Sequence, residues 1–184
     1  MFSDHEYFLV VDFEATCADD GSVPKSEMEI IEVGAVLQST RTFEIESEFQ
    51  SFIRPQRHLE LTDFCQNLTT IRQSDVNQAP IFPEVAQDIS EWLRGIESFV
   101  FCSWGNFDRR QAERDAHYHQ VVSPFGVEHI NFKKSFAQMI GSNKQMGLGS
   151  ALKHLGLGFE GTPHRGIDDA RNVARIVQWL RAGG

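Results

Sequence analysis

FLVVDFEATC, residues Phe8–Cys17, is an apolar run interrupted by two carboxylates, Asp12 and Glu14, one residue apart. Without the acids it reads as a buried strand. Side chains of a strand alternate between faces, so Asp12, Glu14 and Thr16 share one face, and Val11, Phe13 and Ala15 share the other. Like charges side by side repel, and they lose hydration when partly buried. A shared proton or a cation would compensate them, and hard oxygen ligands suit Mg²⁺ or Mn²⁺. A strand running out into solvent would leave both acids merely exposed, so the choice falls to the rest of the chain.

Outward from this strand, EIIEVGAVLQ (29–38) reads as a second strand, after a turn-rich loop at 19–27. FEIESEFQSFIRP (43–55) reads as a third, with Phe43 and Ile45 alternating, Phe49 following after a slip, and Pro55 ending it. The three form an antiparallel meander. Residues 61–80 read as short helices and turns. Val85, Ile89, Trp92, Leu93 and Ile96 recur at helical spacing. SFVFCSW (98–104) is the nearly continuous apolar run of a central parallel strand. A helix over 106–120 follows, with Asn106 placed as its N-cap. HINFKKSFAQMI (129–140) holds a short strand and then a helix. Leu148, Ala151, Leu152 and Leu155 share a helical face, and a last helix over 168–182 stops at Gly183 and Gly184. This order predicts an α/β domain, a ribonuclease-H-like mixed five-stranded sheet flanked by helices. A doubly wound nucleotide-binding fold would want a glycine-rich loop after the first strand, and none is there.

The 184 residues fit one domain, 1–184. A net charge of −9 argues against a protein that coats nucleic acid through a broad basic surface. An enzyme that grips one strand end through metals remains compatible with it. Cys17, Cys65 and Cys102 have neither disulfide-framework nor CxxC spacing, and read as reduced thiols of a cytoplasmic protein. The N-terminal residues do not read as a signal peptide, and no apolar run reaches the length of a membrane span.

Further candidates can join the first two acids. Asp108 sits just past the apolar strand at 98–104, near a helix start, where ligands of α/β sheets gather. Its plainer reading is a first-turn acid that favours the helix dipole. PHRGIDDAR (163–171) brings His164 and Asp169 to a loop-to-helix junction. Adjacent helical residues point about 100° apart, so only one acid of the pair Asp168–Asp169 faces the site. Asp169 extends the edge of the stripe through 173 and 176, and Asp168 points further away. Trp104 reads as core. His117 and His119, two apart on a helix, share no face and read as surface residues.

In order, these residues give D-x-E on a first strand, D after a central strand and H-x4-D at a final helix. The set resembles the DEDDh exonucleases of the DnaQ-like, RNase-H-fold superfamily. VVDFEATC, EIIEVGAVL, FIRP, SWGNFDRRQ and the 147–176 segment further resemble its Eri-type branch, the histone-mRNA 3′ exonuclease-like nucleases. The resemblance implies a metal-dependent 3′–5′ exonuclease. It implies two divalent cations, Mg²⁺ or Mn²⁺, held by Asp12, Glu14, Asp108 and Asp169, with His164 as general base. It implies partners that are single-stranded nucleic acid 3′ ends, RNA favoured over DNA, and no membrane; it also admits a homodimer. It implies substrate contacts at Thr16, Cys17, Phe64, Leu68, Ile71, Phe107 and Lys133. Core packing is the competing reading for the apolar ones, and an ordinary solvated pair for Lys133 and Lys134. The other readings of the chain are a non-hydrolysing nucleic-acid-binding or adaptor protein, a polymerase-associated proofreading exonuclease on DNA, and an endonuclease of the same fold.

Overall fold

A computed structural model describes residues 4–181 of the chain; the glycines expected to stop the last helix lie outside them. Three strands come first, β1 (Tyr7–Ala15), β2 (Ile30–Ser39) and β3 (Ile45–Phe52). Helices α1 (Asp63–Thr69), α2 (Gln73–Asn77) and α3 (Phe82–Trp92) follow. Then come β4 (Phe99–Ser103), α4 (Phe107–His119), β5 (His129–Asn131), α5 (Phe132–Met139), α6 (Leu148–His154) and α7 (Gly166–Arg181). The five strands form one mixed sheet in the order β3-β2-β1-β4-β5. β1 pairs antiparallel with β2, and β2 with β3; β1–β4 and β4–β5 are parallel.

Alternation along β1 decides what lies on each face. Leu9, Val11 and Phe13 point into a core closed by Val85, Ala86 and Ile89 of α3 and Ala112 and Ala116 of α4. Phe8 and Val10 point the other way, into a core closed by Ile167, Ala170, Val173 and Val177 of α7. β1 is apolar on both faces because helices cover both. Asp12 and Glu14 therefore lie on the α7 side.

The last helix begins at Gly166, two residues before the expected start. The third strand is shorter than expected. Phe43 has a left-handed backbone (φ 65°) and belongs to the turn, so its side chain packs against Phe8 rather than opening an alternating strand. Asn106 stands at the N-cap position of α4 but its side chain caps nothing; its Oδ1 accepts from Asn131 Nδ2 at 3.0 Å. His119 is half-buried and stacked on Phe82, a correction to its surface assignment: the helix turns it toward α3. Among the described residues no helix is long and apolar enough to cross a membrane.

Candidate active site

Two glycines bring the last helix onto the sheet. Gly34 of β2 lies opposite Asp12 of β1. A Cβ on Gly34 would stand 2.0 Å from the backbone carbon of Gly166, and one on Gly166 would stand 2.8 Å from the Asp12 carbonyl oxygen. No other residue fits either position without moving the helix. The close approach lays the first turn of α7 across β1 and β2, and Asp169 arrives beside the strand acids. One oxygen each from Asp12, Glu14 and Asp169 lies within 4.8 Å of the others. Asp168 is turned away, its carboxylate accepting from Thr162 N at 2.9 Å and Arg171 Nη1 at 3.2 Å.

Among the described residues, no lysine or arginine forms an ion pair with Asp12, Glu14 or Asp169. Burial raises Asp12 well above the usual carboxylate range, and the charges of Asp108, Asp169, Glu14 and Glu32 push it the same way. Burial, then Asp169 and Glu32, raise Glu14 to about 8. Burial raises Asp169 to about 6, opposed by His164 and by the backbone amides of His164 and Arg165. The Oδ2 of Asp169 is buried and has no hydrogen-bond partner. An orphaned anionic oxygen among converging acids is the donor set of a hard divalent cation.

Asp108 occupies the first turn of α4, 4% exposed, and is tied to β1 by accepting Phe13 N–H at 3.1 Å. It lines the same cavity but stands outside the tight trio. Burial raises it to about 6, opposed by the Phe13 amide and the Ser103 hydroxyl. Ser103 Oγ lies 2.9 Å from His129 Nε2, so a part-buried polar chain backs this acid. His164 is exposed and left-handed (φ 60°), and lines the cavity with the four acids. That cavity, about 270 Å³, is completed by Phe13, Trp104, Phe107 and Leu148.

The expected substrate contacts divide. Phe107 is 44% exposed in the cavity wall, and Phe64 and Leu68 are 39% and 38% exposed one turn apart on α1. The Thr62 hydroxyl ties α1 to the end of β1 through the Cys17 carbonyl, at 2.6 Å. Lys133 is half-buried, its stem near Gly105 of the loop that leads to Asp108. Ile71 is a correction: it is fully buried with Ile31, Leu61, Cys65 and Val76, so core packing claims it. Thr16 is buried at the end of β1, where its N–H donates to the Glu29 carbonyl and its hydroxyl accepts from Glu29 N. Cys17 stays half-exposed, packed against the cluster of Ile31, Leu61, Cys65, Ile71 and Val76. Sequence reasoning missed Trp104 and Leu148 as part of the site. Trp104 packs on Phe136 yet also borders the cavity, a double role that only its position after β4 reveals.

The family model described as Exonuclease (RNase T) matches residues 9–177. The 3′-5′ exoribonuclease 1 of Homo sapiens is 35% identical over 188 residues, which span 97% of this chain and 54% of that protein. The solved nuclease domain of 3′hExo, a DEDDh family member bound to rAMP, superposes with a TM-score of 0.91 at 33% identity. That match covers 100% of this chain and 96% of the other. A structure of a 3′-exonuclease recognising the end of a histone mRNA stem-loop matches equally well, with TM-score 0.91, 33% identity and coverage of 99% and 65%. The chain spans about half the length of the curated relatives it matches.

Proposed function

We propose, for a chain that belongs to the RNase T-type exonuclease family, that it is a metal-dependent 3′–5′ exonuclease removing 5′-mononucleotides from single-stranded RNA 3′ ends. The observation that carries the reading is the convergence of Asp12, Glu14 and Asp169, with one Asp169 oxygen, Oδ2, buried and partnerless. Asp12, Glu14 and Asp169 would hold the cations, with Asp108 of the same cavity completing the set. Two divalent ions at such a site supply Lewis acidity on the phosphoryl oxygens and a readily deprotonated water.

The rest falls to the chain. His164 takes the proton of the attacking water, since imidazole is the side chain suited to accept one near neutral pH. Its place in the cavity wall beside Asp169 supports that role. Phe107, Phe64 and Leu68 offer apolar faces to terminal bases, a contact tolerant of sequence because every base has a π-face. Lys133 meets a phosphate, and with few cations near the site, affinity is modest. RNA is favoured over DNA by the substrates that the relatives' names state.

The test is digestion of 5′-labelled single-stranded RNA and its DNA counterpart with Mg²⁺, Mn²⁺ or EDTA. A metal-dependent ladder shrinking from the 3′ end is expected, absent in Asp12→Ala. His164→Ala is expected to lose roughly 10²–10⁴-fold in rate with metal binding retained. Unchanged turnover in that variant would remove His164 as the base. No cleavage by the folded, metal-loaded wild type would overturn the enzyme reading in favour of a binding protein.

A further inference from the structure

Glu32 has no role in the reaction proposed above. It is fully buried in β2, directly opposite Glu14. Its charge is among those that raise Asp12 and Glu14, so it works against the acid cluster. Packing alone would favour an apolar residue here, as at the neighbouring Ile31 and Val33, and buried ion pairs contribute little net stability over apolar replacements. Glu32 also differs from a metal ligand, because protein donors saturate it. Arg165 grips it with both prongs, Nε to Oε2 at 3.1 Å and Nη2 to Oε1 at 3.0 Å. The Gly166 N–H donates to Oε2 at 3.1 Å, and Gln50 Nε2 donates to Oε1.

These donors sit where the site is assembled. Arg165 follows His164, whose left-handed backbone is strained for a non-glycine residue and needs outside support. Gly166 opens α7, and the Asp169 N–H donates to the Arg165 carbonyl at 2.9 Å in its first turn. A carboxylate at the first free N–H of a helix is favoured by the helix dipole. The guanidinium also lies over the Phe52 ring, 5.2 Å from its centre, which fixes its plane.

We infer that Glu32 and Arg165 are a positioning pair, which fixes His164 and the first turn of α7, and hence Asp169, against the strand acids. The inference rests on the proposed exonuclease reading for its catalytic consequence, but its structural half stands apart from it. Neither residue lines the cavity; both act through the backbone at 164–169.

The full chain is tested as Glu32→Gln, Arg165→Lys and the double variant. One readout is amide hydrogen exchange in metal-free protein, and the other is kcat and KM on labelled RNA with Mn²⁺. Each single variant is expected to speed exchange at 164–170 by about tenfold or more, with 172–181 changed by less than about twofold. Each is expected to lower kcat by about tenfold or more while KM moves by less than about threefold, as misplacement of catalytic groups does. The double variant is expected to be no worse than the worse single, because the pair acts as a unit.

Uniformly faster exchange along α7, or unchanged exchange at 164–170, would overturn the inference. So would a folded single variant with wild-type kcat. If Glu32→Gln does not fold, Arg165→Lys decides, since it leaves Glu32 its contacts to Gln50 and the Gly166 amide. A wild type that cleaves nothing would defeat the exonuclease reading, and hydrogen exchange alone would then judge the anchoring.

Discussion

Around β1 and β2, two sets of buried or half-buried carboxylates lie side by side and meet opposite surroundings. Glu29 accepts backbone N–H groups from Gln56, Arg57 and His58 at 2.8, 2.7 and 3.1 Å, with the Arg57 guanidinium beside it. Glu32 is matched by Arg165, Gly166 and Gln50. Asp12, Glu14 and Asp169 face one another, and every acid near Asp12 raises its pKa further. Glu14 is buried like Glu29 and Glu32, while Asp12 and Asp169 are half-buried, so burial alone does not mark a reactive acid. The donors do: a fold that needed carboxylates only for structure supplied donors to Glu29 and Glu32. It left the trio for something from outside to neutralise.

The sharpest way to break that contrast is to neutralise one member of the unpaired set. Asp12→Asn or Asp169→Asn should reduce cleavage by roughly a thousandfold or more, since several kcal/mol of charge stabilisation are lost and each ~1.4 kcal/mol is tenfold. The same variants should melt, without metal, no lower than wild type, because a like charge has been removed. Nuclease assays and calorimetry on the same samples check both halves. A large drop in metal-free melting temperature would place these acids with the structural set.

The paired set should fail in the opposite sense. Glu29→Ala leaves Arg57 and three backbone amides without their acceptor, and should destabilise by about 3–5 kcal/mol. At roughly 2–4 °C per kcal/mol, chemical denaturation and thermal melting both resolve that loss. Cleavage per folded molecule should stay within about twofold of wild type. Activity falling further than the folded fraction would show that the Glu29 network reaches the site.

A smaller effect concerns pH. The folded state holds Asp108 and Asp169 at about 6 and Glu14 at about 8. The unfolded chain titrates its acids near ~4. Between these values the folded state binds more protons than the unfolded one, so metal-free stability falls as pH rises from about 4 to about 8. Mg²⁺ or Mn²⁺ should restore it, with a rise in melting temperature larger at pH 8 than at pH 5. A metal-induced rise that is the same at both values would mean that the ions bind elsewhere.

Much of this was legible in the chain. Runs such as FLVVDFEA and SFVFCSW, with amphipathic spacing between them, announce helices over both faces of a mixed sheet. The D-x-E…D…H-x4-D order marks the candidate site because the chemistry needs those residue types. The 100° step between Asp168 and Asp169 is enough to separate the acid of the cluster from the one that bonds Thr162 and Arg171. Family resemblance carried the exonuclease reading and the substrate class.

Other matters were beyond a sequence read locally. Ile71 and Phe64 are both apolar residues of one short helical region, and only packing assigns Ile71 to the core and leaves Phe64 exposed. Glu32 reads from sequence as a lone charge in a strand. Its partners Gln50, Arg165 and Gly166 come from β3 and from the far end of the chain, through contacts that no spacing rule encodes. Local periodicity fixed the elements and their faces because alternation and helical pitch are properties of neighbouring residues. Tertiary structure decided which acids are answered by donors, because the donors come from other elements: those of Glu29 from the 56–58 segment, and Arg165 and Gly166 for Glu32 from more than a hundred positions away, meeting it across Gly34.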